Sequence, residues 1–184
     1  MNPLGVIEKY YIKGSTLYDI IVTHSSAVAD LSLAIVDGHP ELGVDRQFIY
    51  EGAMLHDIGI IRTYAPGIHC EGSANYICHG YLGSEMLQAE GLYRHALVCE
   101  RHTGAGLPLD EIISMELPIP HRDMIPVSIE EQIICYADKF FSKSRDLKEQ
   151  KSLDSALHSV AKYGEASERR FRKMHELFSI PRIV

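Results

Sequence analysis

The sequence predicts an all-α fold in one compact domain, and three observations carry that expectation. Apolar residues recur at three- and four-residue steps through most of the 184 residues, which is the spacing of helices that bury one face. No convincing strand alternation, internal repeat or low-complexity tract interrupts the pattern. A hydrophobic share of 46% is enough to bury a proper core in a chain of this length. The expected domain covers residues 1–184, with its polar centre within about 16–141 and two closing helices within about 152–178.

Each element has a local reason. Asn2 followed by Pro3 reads as a cap and a first-turn proline, opening a short helix to about Tyr11, and Gly14 breaks it. From Ser15 to Val36, Leu17, Ile20, Ile21, Val28, Leu31 and Ile35 form a stripe that includes His24, closed by Gly38 and Pro40. Asp45 caps the next helix, whose face of Phe48, Ile49, Gly52, Ala53 and Leu55 leads into His56-Asp57, with Gly59 as its terminator. Arg62 to Ser73 lacks periodicity and reads as a connection near the polar pair. A helix is expected from about Asn75 to Gln88, carrying His79, and another through LYRHALVCERH, with His102 in its last turn before Gly104 and Gly106. After a short piece at Asp110 to Met115, the three prolines of LPIPHRDMIPV make an extended crossing. Ser128-Ile-Glu-Glu131 fits a capping box for a helix around Asp138, and helices near Ser152–Tyr163 and Glu165–Phe178 end the chain.

Composition narrows the function classes. A formal net charge of −7 argues against electrostatic binding to nucleic acid or an anionic membrane surface. The start, MNPLGVIEKYYIKG, has neither the basic flank nor the apolar centre of a signal peptide, so the expected compartment is the cytoplasm. Cys70, Cys78, Cys99 and Cys135 form no C-x-x-C pair and read as reduced, buried thiols. The basic letters of SERRFRK, flanked by acidic residues and without an aromatic platform, read as a solvated helix face.

The informative stretch is Ile49 to Arg62, where adjacent His56 and Asp57 interrupt an apolar run. Neighbours on a helix point about 100° apart, so this pair converges on one object only near a helix end or through a shared ion. His24, His79, His102 and Asp138 also lie in or beside apolar stripes, and one shared metal centre would satisfy all six groups.

An early helix-borne His24, then His56-Asp57-Ile-Gly59, then a late Ala-Asp138, resembles the HD-domain metal-dependent phosphohydrolases of the HDIG type. His79 in HGYLGSEML and His102 in RHTGAG are similar to the subgroup that holds two metals. The resemblance implies that His24, His56, Asp57 and Asp138 hold a first divalent ion, that His79 and His102 hold a second, and that Asp57 bridges them. Iron, manganese, zinc, cobalt and nickel all suit such donors. The implied activity is hydrolysis of a phosphoester or phosphoanhydride in a small molecule or nucleotide, by metal-activated hydroxide. A mixed-valent di-iron oxygenase and a non-catalytic metal-stabilised module are the alternatives. Arg62, Arg101 and Lys139, each within a few residues of a proposed donor, are the candidate phosphate contacts, with Asp57, Arg62 and Lys139 expected to act in catalysis. The expected partner is a small phosphorylated molecule or nucleotide, with neither nucleic acid nor membrane. His69 and His121 read as loop residues, and His39, His95, His158 and His175 as surface or half-buried ones.

Overall fold

The computed structural model describes residues 1–144 and 146–179. Among these, the helices are α1 (Pro3–Ile7), α2 (Thr16–Gly38), α3 (Arg46–Leu55), α4 (His79–Ala89), α5 (Tyr93–Arg101), α6 (Leu109–Ser114), α7 (Ile129–Asp138), α8 (Leu153–Ala161) and α9 (Glu165–Phe178). Short 3₁₀ turns at Pro40–Leu42, Ile58–Arg62, Pro66–Ile68 and Tyr76–Cys78 link them. The fold is all-α. Among the described residues the strands are limited to a two-residue antiparallel pair, β1 (Tyr64–Ala65) with β2 (Cys70–Glu71), in register Tyr64 opposite Glu71.

Helix starts follow the capping chemistry of the sequence. Side chains of Asn2, Ser15, Asp45, Ser128 and Ser152 each accept a hydrogen bond from a first-turn amide. At α7 the Ser128 hydroxyl accepts from Glu131 N, but the Glu131 carboxylate reaches back to Val127 N at 2.9 Å and so only half completes a capping box. α1 stops at Ile7 rather than near Tyr11. Tyr11 is instead buried, its hydroxyl donating to Ile58 O at 2.8 Å and accepting from Ile61 N at 3.3 Å. The first turns of the chain are thereby tied to the 3₁₀ turn after Asp57.

α2 is the central helix. It is long and apolar enough to cross a membrane by length and composition, yet here it packs against α3 and α7 and buries Ile21, His24, Val28 and Ile35. α9 closes the core from the other side. Its Phe171 stacks on Tyr136 of α7 with ring centroids 5.2 Å apart, and both Phe171 and Phe178 are fully buried. A second, smaller apolar cluster of Cys78, Leu107, Ile112, Ile119 and Met124 holds the proline-rich crossing onto α4 and α6.

α3 ends at Leu55, four residues before Gly59, with His56 as its C-cap. Gly59 lies inside the next 3₁₀ turn and is not in the left-handed region. A Cβ there would lie 2.1 Å from His79 O and 2.4 Å from Gly83 N. The residue read as a helix terminator is therefore a packing contact, which lets the backbone after Asp57 touch the backbone of α4.

Candidate metal centre

Five of the six predicted donors stand at helix ends. His56 caps α3, Asp57 follows it, His79 opens α4, His102 caps α5 and Asp138 is the last residue of α7. Only His24 projects from mid-helix, in α2. Helix ends explain how sequence neighbours converge. The backbone leaves α3 at His56 and turns at Asp57 with φ −107° and ψ 11°, so the 100° offset of a continuing helix no longer applies.

The six side chains form two groups that share one carboxylate. Donor atoms of His24, His56, Asp57 and Asp138 lie within 4.8 Å of one another, and so do those of Asp57, His79 and His102. Asp57 Oδ2 faces the first group, 3.2 Å from His24 Nε2 and 3.1 Å from His56 Nε2. Its Oδ1 faces the second, 3.5 Å from His79 Nε2 and 3.3 Å from His102 Nε2. Asp138 Oδ1 completes the first group at 3.1 Å from His24 Nε2.

The tautomers are set by the backbone. Nδ1 of His56, His79 and His102 each meets the carbonyl three residues earlier, Ala53 at 2.6 Å, Tyr76 at 2.7 Å and Cys99 at 2.7 Å. Each Nδ1–H donates there, so each Nε2 turns inward, where a neutral ring offers the lone pair that a metal-binding histidine requires.

Two observations test whether a cation fits. First, burial pushes the His79 ring down to about 3 and lowers His102 as well, so both are neutral, and their Nε2 lone pairs face each other across 3.1 Å. Two acceptors at that separation repel unless a cation lies between them. Second, Asp57 is 0% exposed and neither of its oxygens receives a well-directed hydrogen bond, although Lys143 Nζ lies 2.6 Å from Oδ2. A buried carboxylate left in that state is costly. The donor set is thus suited to divalent metal, and mixed imidazole and carboxylate oxygen ligands fit the transition ions.

Charge around the centre is balanced by lysines. Burial opposes the charge on Asp57, but Lys143 and the imidazoles hold its carboxyl well below the usual range. Burial likewise opposes Asp138, which Lys139 and Lys143 keep ionised. For His56, burial acts downward while Asp57 and Asp138 lift it to about 9. A cavity of about 170 Å³ opens beside the donors, lined by His79, His102 and Asp138 together with Lys139, Lys143, Lys151, Tyr76 and Tyr163.

Of the cations expected near the site, Lys139 borders this cavity, with Nζ 2.6 Å from Asp138 Oδ2. Arg62 ends the 3₁₀ turn with an exposed side chain, and Arg101 is paired with Glu131 at 2.9 Å; neither lines the cavity. Lys143 and Lys151, which do, were missed by the sequence reading. Lys143 follows Asp138 by five residues and proximity would have found it, whereas Lys151 arrives by a fold-back that no spacing rule shows. His69 and His121 are exposed.

Residues 21–142 match the HD domain family. The chain is 31% identical to a tRNA (cytidine(56)-2'-O)-methyltransferase of Picrophilus torridus over 91% of its own length and 44% of that protein. It is 30% identical to a tRNA (cytidine(56)-2'-O)-methyltransferase of Thermoplasma volcanium over 95% of its length and 46% of that protein. An uncharacterized protein of Methanocaldococcus jannaschii is 36% identical over 64% of each chain. The chain thus spans less than half the length of the methyltransferases it matches. No solved structure matches it.

These relatives correct one expectation. The phosphohydrolase activity implied by the resemblance is overturned by curated relatives named for methyl transfer to a ribose oxygen. The physical reason is that a His/Asp donor set selects a metal and its power to polarise oxygen, but does not select the electrophile that the oxygen meets. The match over residues 21–142, well over half the chain, together with a buried His/Asp cluster drawn from the helices of that stretch, places this chain in the HD domain family.

Proposed function

We propose that this chain is a metal-dependent enzyme domain that serves 2′-O-methylation of a tRNA cytidine in the cytoplasm, holding two divalent ions, one at each donor group. The observation that carries this reading is the similarity to the two methyltransferases, which runs over 91–95% of this chain. When bound, the ions polarise a neighbouring oxygen and ease its deprotonation.

The chain's own groups suit a single ribose-phosphate unit. Lys139, Lys143 and Lys151 border the cavity and offer ammonium groups to phosphodiester oxygens. Asp57, kept ionised, supplies the carboxylate that both donor groups share behind the cavity. Tyr76 and Tyr163 wall the cavity and limit water. With a net charge of −7, the remaining surface is not built to grip a long polyanion, so recognition is confined to the nucleotide at the cavity. At about 170 Å³ the cavity is smaller than the roughly 300–1,000 Å³ of sites that enclose a cofactor-sized ligand. The methyl donor is therefore assigned to a site outside this cavity.

The test is tRNA binding by fluorescence anisotropy, using the full chain, an unmodified transcript, and Mn²⁺ or chelator across a salt series. Binding should require the metal, vanish in Asp57→Ala, and show a log–log salt slope near −2, from about 0.7 per phosphate contacted by the three cavity lysines. tRNA binding indifferent to metal and to Asp57→Ala, or no binding by metal-loaded protein, sinks the reading.

A further inference from the structure

We propose that Arg170 of α9 is a positioning residue for His102, fixing the loop that follows this donor and so making the C-terminal helix part of the metal centre. The inference rests on the two-ion reading above. α9 lies outside residues 21–142, the stretch matched to the HD family, so nothing in that match assigns it a part.

The loop from His102 to Leu107 is buried at every residue. It turns through Gly104 and Gly106, at φ 61° and 85°, and satisfies Thr103 O internally, through Gly106 N at 3.0 Å. A buried loop must find outside partners for its carbonyls and amides. Cys135 Sγ–H reaches His102 O at 3.4 Å and Gly104 O at 3.6 Å. Ala105 N donates to Ser167 Oγ of α9 at 3.4 Å. Leu107 exchanges both main-chain bonds with Met124.

The two remaining carbonyls belong to Arg170. Its Nε donates to Ala105 O at 3.1 Å and its Nη2 to Gly106 O at 2.9 Å. The same guanidinium is held by Glu111 of α6, at 2.8 Å to Oε1 and 2.7 Å to Oε2. One planar fork thus joins α9, α6 and the two carbonyls that set the path of the loop. A lysine ammonium cannot reproduce this set, because its donors radiate from one point rather than lying in a plane. The loop also walls the cavity through Thr103 and Gly104. Tyr163 packs against Gly104, where a Cβ would meet its ring at 3.1 Å. Displacement of the loop would therefore move His102, whose Nε2 must stay directed at Asp57 Oδ1 and His79. The group of His24, His56 and Asp138 draws on α2, the end of α3 and α7, and meets this loop through the weak thiol contacts of Cys135 on α7, with no bond to Arg170.

The experiment is a Co²⁺ titration of chelator-stripped full chain, followed by ligand-field absorption and by calorimetry, for wild type, Arg170→Ala, Arg170→Lys and Arg172→Ala. Wild type should bind two ions. Arg170→Ala should keep one ion near wild-type affinity and bind the second about tenfold more weakly, at the lower edge of the ~10–100-fold seen for residues that orient metal ligands. Arg170→Lys should not restore it. Arg172→Ala, which removes only an exposed pair with Glu168, should titrate as wild type. Should Arg170→Ala not fold, Ser167→Ala breaks a milder contact with the same loop and should weaken the same ion. Two ions of unchanged affinity in Arg170→Ala, or equal weakening of both ions in step with a lowered melting temperature, refutes the positioning role. A single ion in wild type overturns the two-ion reading itself, and this inference with it.

Discussion

Gly59→Ala is the sharpest perturbation the structure offers, because it adds one methyl group where there is no room for it. The new Cβ would sit 2.1 Å from His79 O, 2.4 Å from Gly83 N and 2.8 Å from Gly83 Cα, all main-chain atoms of α4. A flexible side chain could swing away from such a contact, but a helix backbone moves only as a unit. Gly59 has no left-handed φ, so alanine brings no torsional strain, and the whole effect is steric. Overpacking costs about 1–3 kcal/mol in ordinary cores, and a backbone wall places this case at about 3 kcal/mol. For a domain of this size each kcal/mol lowers the melting temperature by about 2–4 °C, so a fall of roughly 6–12 °C is expected. The atom struck most closely is the carbonyl of His79, the first residue of α4. Moving α4 away by about an ångström takes His79 Nε2 out of reach of the ~2.0–2.1 Å imidazole–metal bond. Thermal melts of the chelated and metal-saturated proteins separate the two consequences: the variant should melt lower in both, and should lose part of the stabilisation that metal gives wild type. A melting temperature within about 2 °C of wild type, with unchanged metal stabilisation, would show the close approach to be unimportant.

Three further outcomes are expected. Asp57→Ala removes the one carboxylate common to both donor groups, so elemental analysis after desalting should find the bound metal lost from both; full metal content would refute the bridging arrangement. In chelated protein, burial of His56 is outweighed by Asp57 and Asp138, which lift it to about 9. A raised folded pKa contributes stability that is fully present below the unfolded value near 6.5 and is lost as pH climbs through about 9. Urea midpoints for the chelated protein should therefore fall between those pH values, while metal affinity should rise over the same interval because His56 must shed its proton to bind; flat midpoints would contradict the pairing. Phe171→Ala empties a fully buried site stacked on Tyr136 and should cost about 3–5 kcal/mol in denaturant unfolding. A loss under about 1 kcal/mol would mean that α9 is not a core element.

Much of this molecule was legible from residue order because the relevant physics is local. Cap residues marked helix starts at Asn2, Asp45 and Ser128, where side chains accept first-turn amides. Stripes of apolar residues marked the faces that α2, α3 and α7 bury. Polar groups set into those stripes at His24, His56, Asp57, His79, His102 and Asp138 identified the side chains that meet in the interior, since a buried donor or acceptor needs a partner. The short hairpin at Tyr64–Glu71 escaped notice because two residues per strand show no alternation.

What residue order could not decide depended on approach between distant segments. Gly59 looked like a terminator, and only the contact with α4 shows that its missing side chain is what matters. Arg101 and Arg62 stand near donors in sequence, yet Glu131 holds one and the other is exposed, while Lys143 and Lys151 reach the cavity from the segment after α7. The hydrolase expectation failed for a related reason, since the donors define how an oxygen is polarised and the reacting partner is chosen by whatever surrounds them. By itself the sequence determined the helices and the kinds of atom that must find partners, because capping and burial are set within a few residues. Which cations face the centre, how closely α4 meets the chain after Asp57, and how Arg170 holds the loop behind His102 were decided only by tertiary packing, because each depends on distances between segments far apart in the chain.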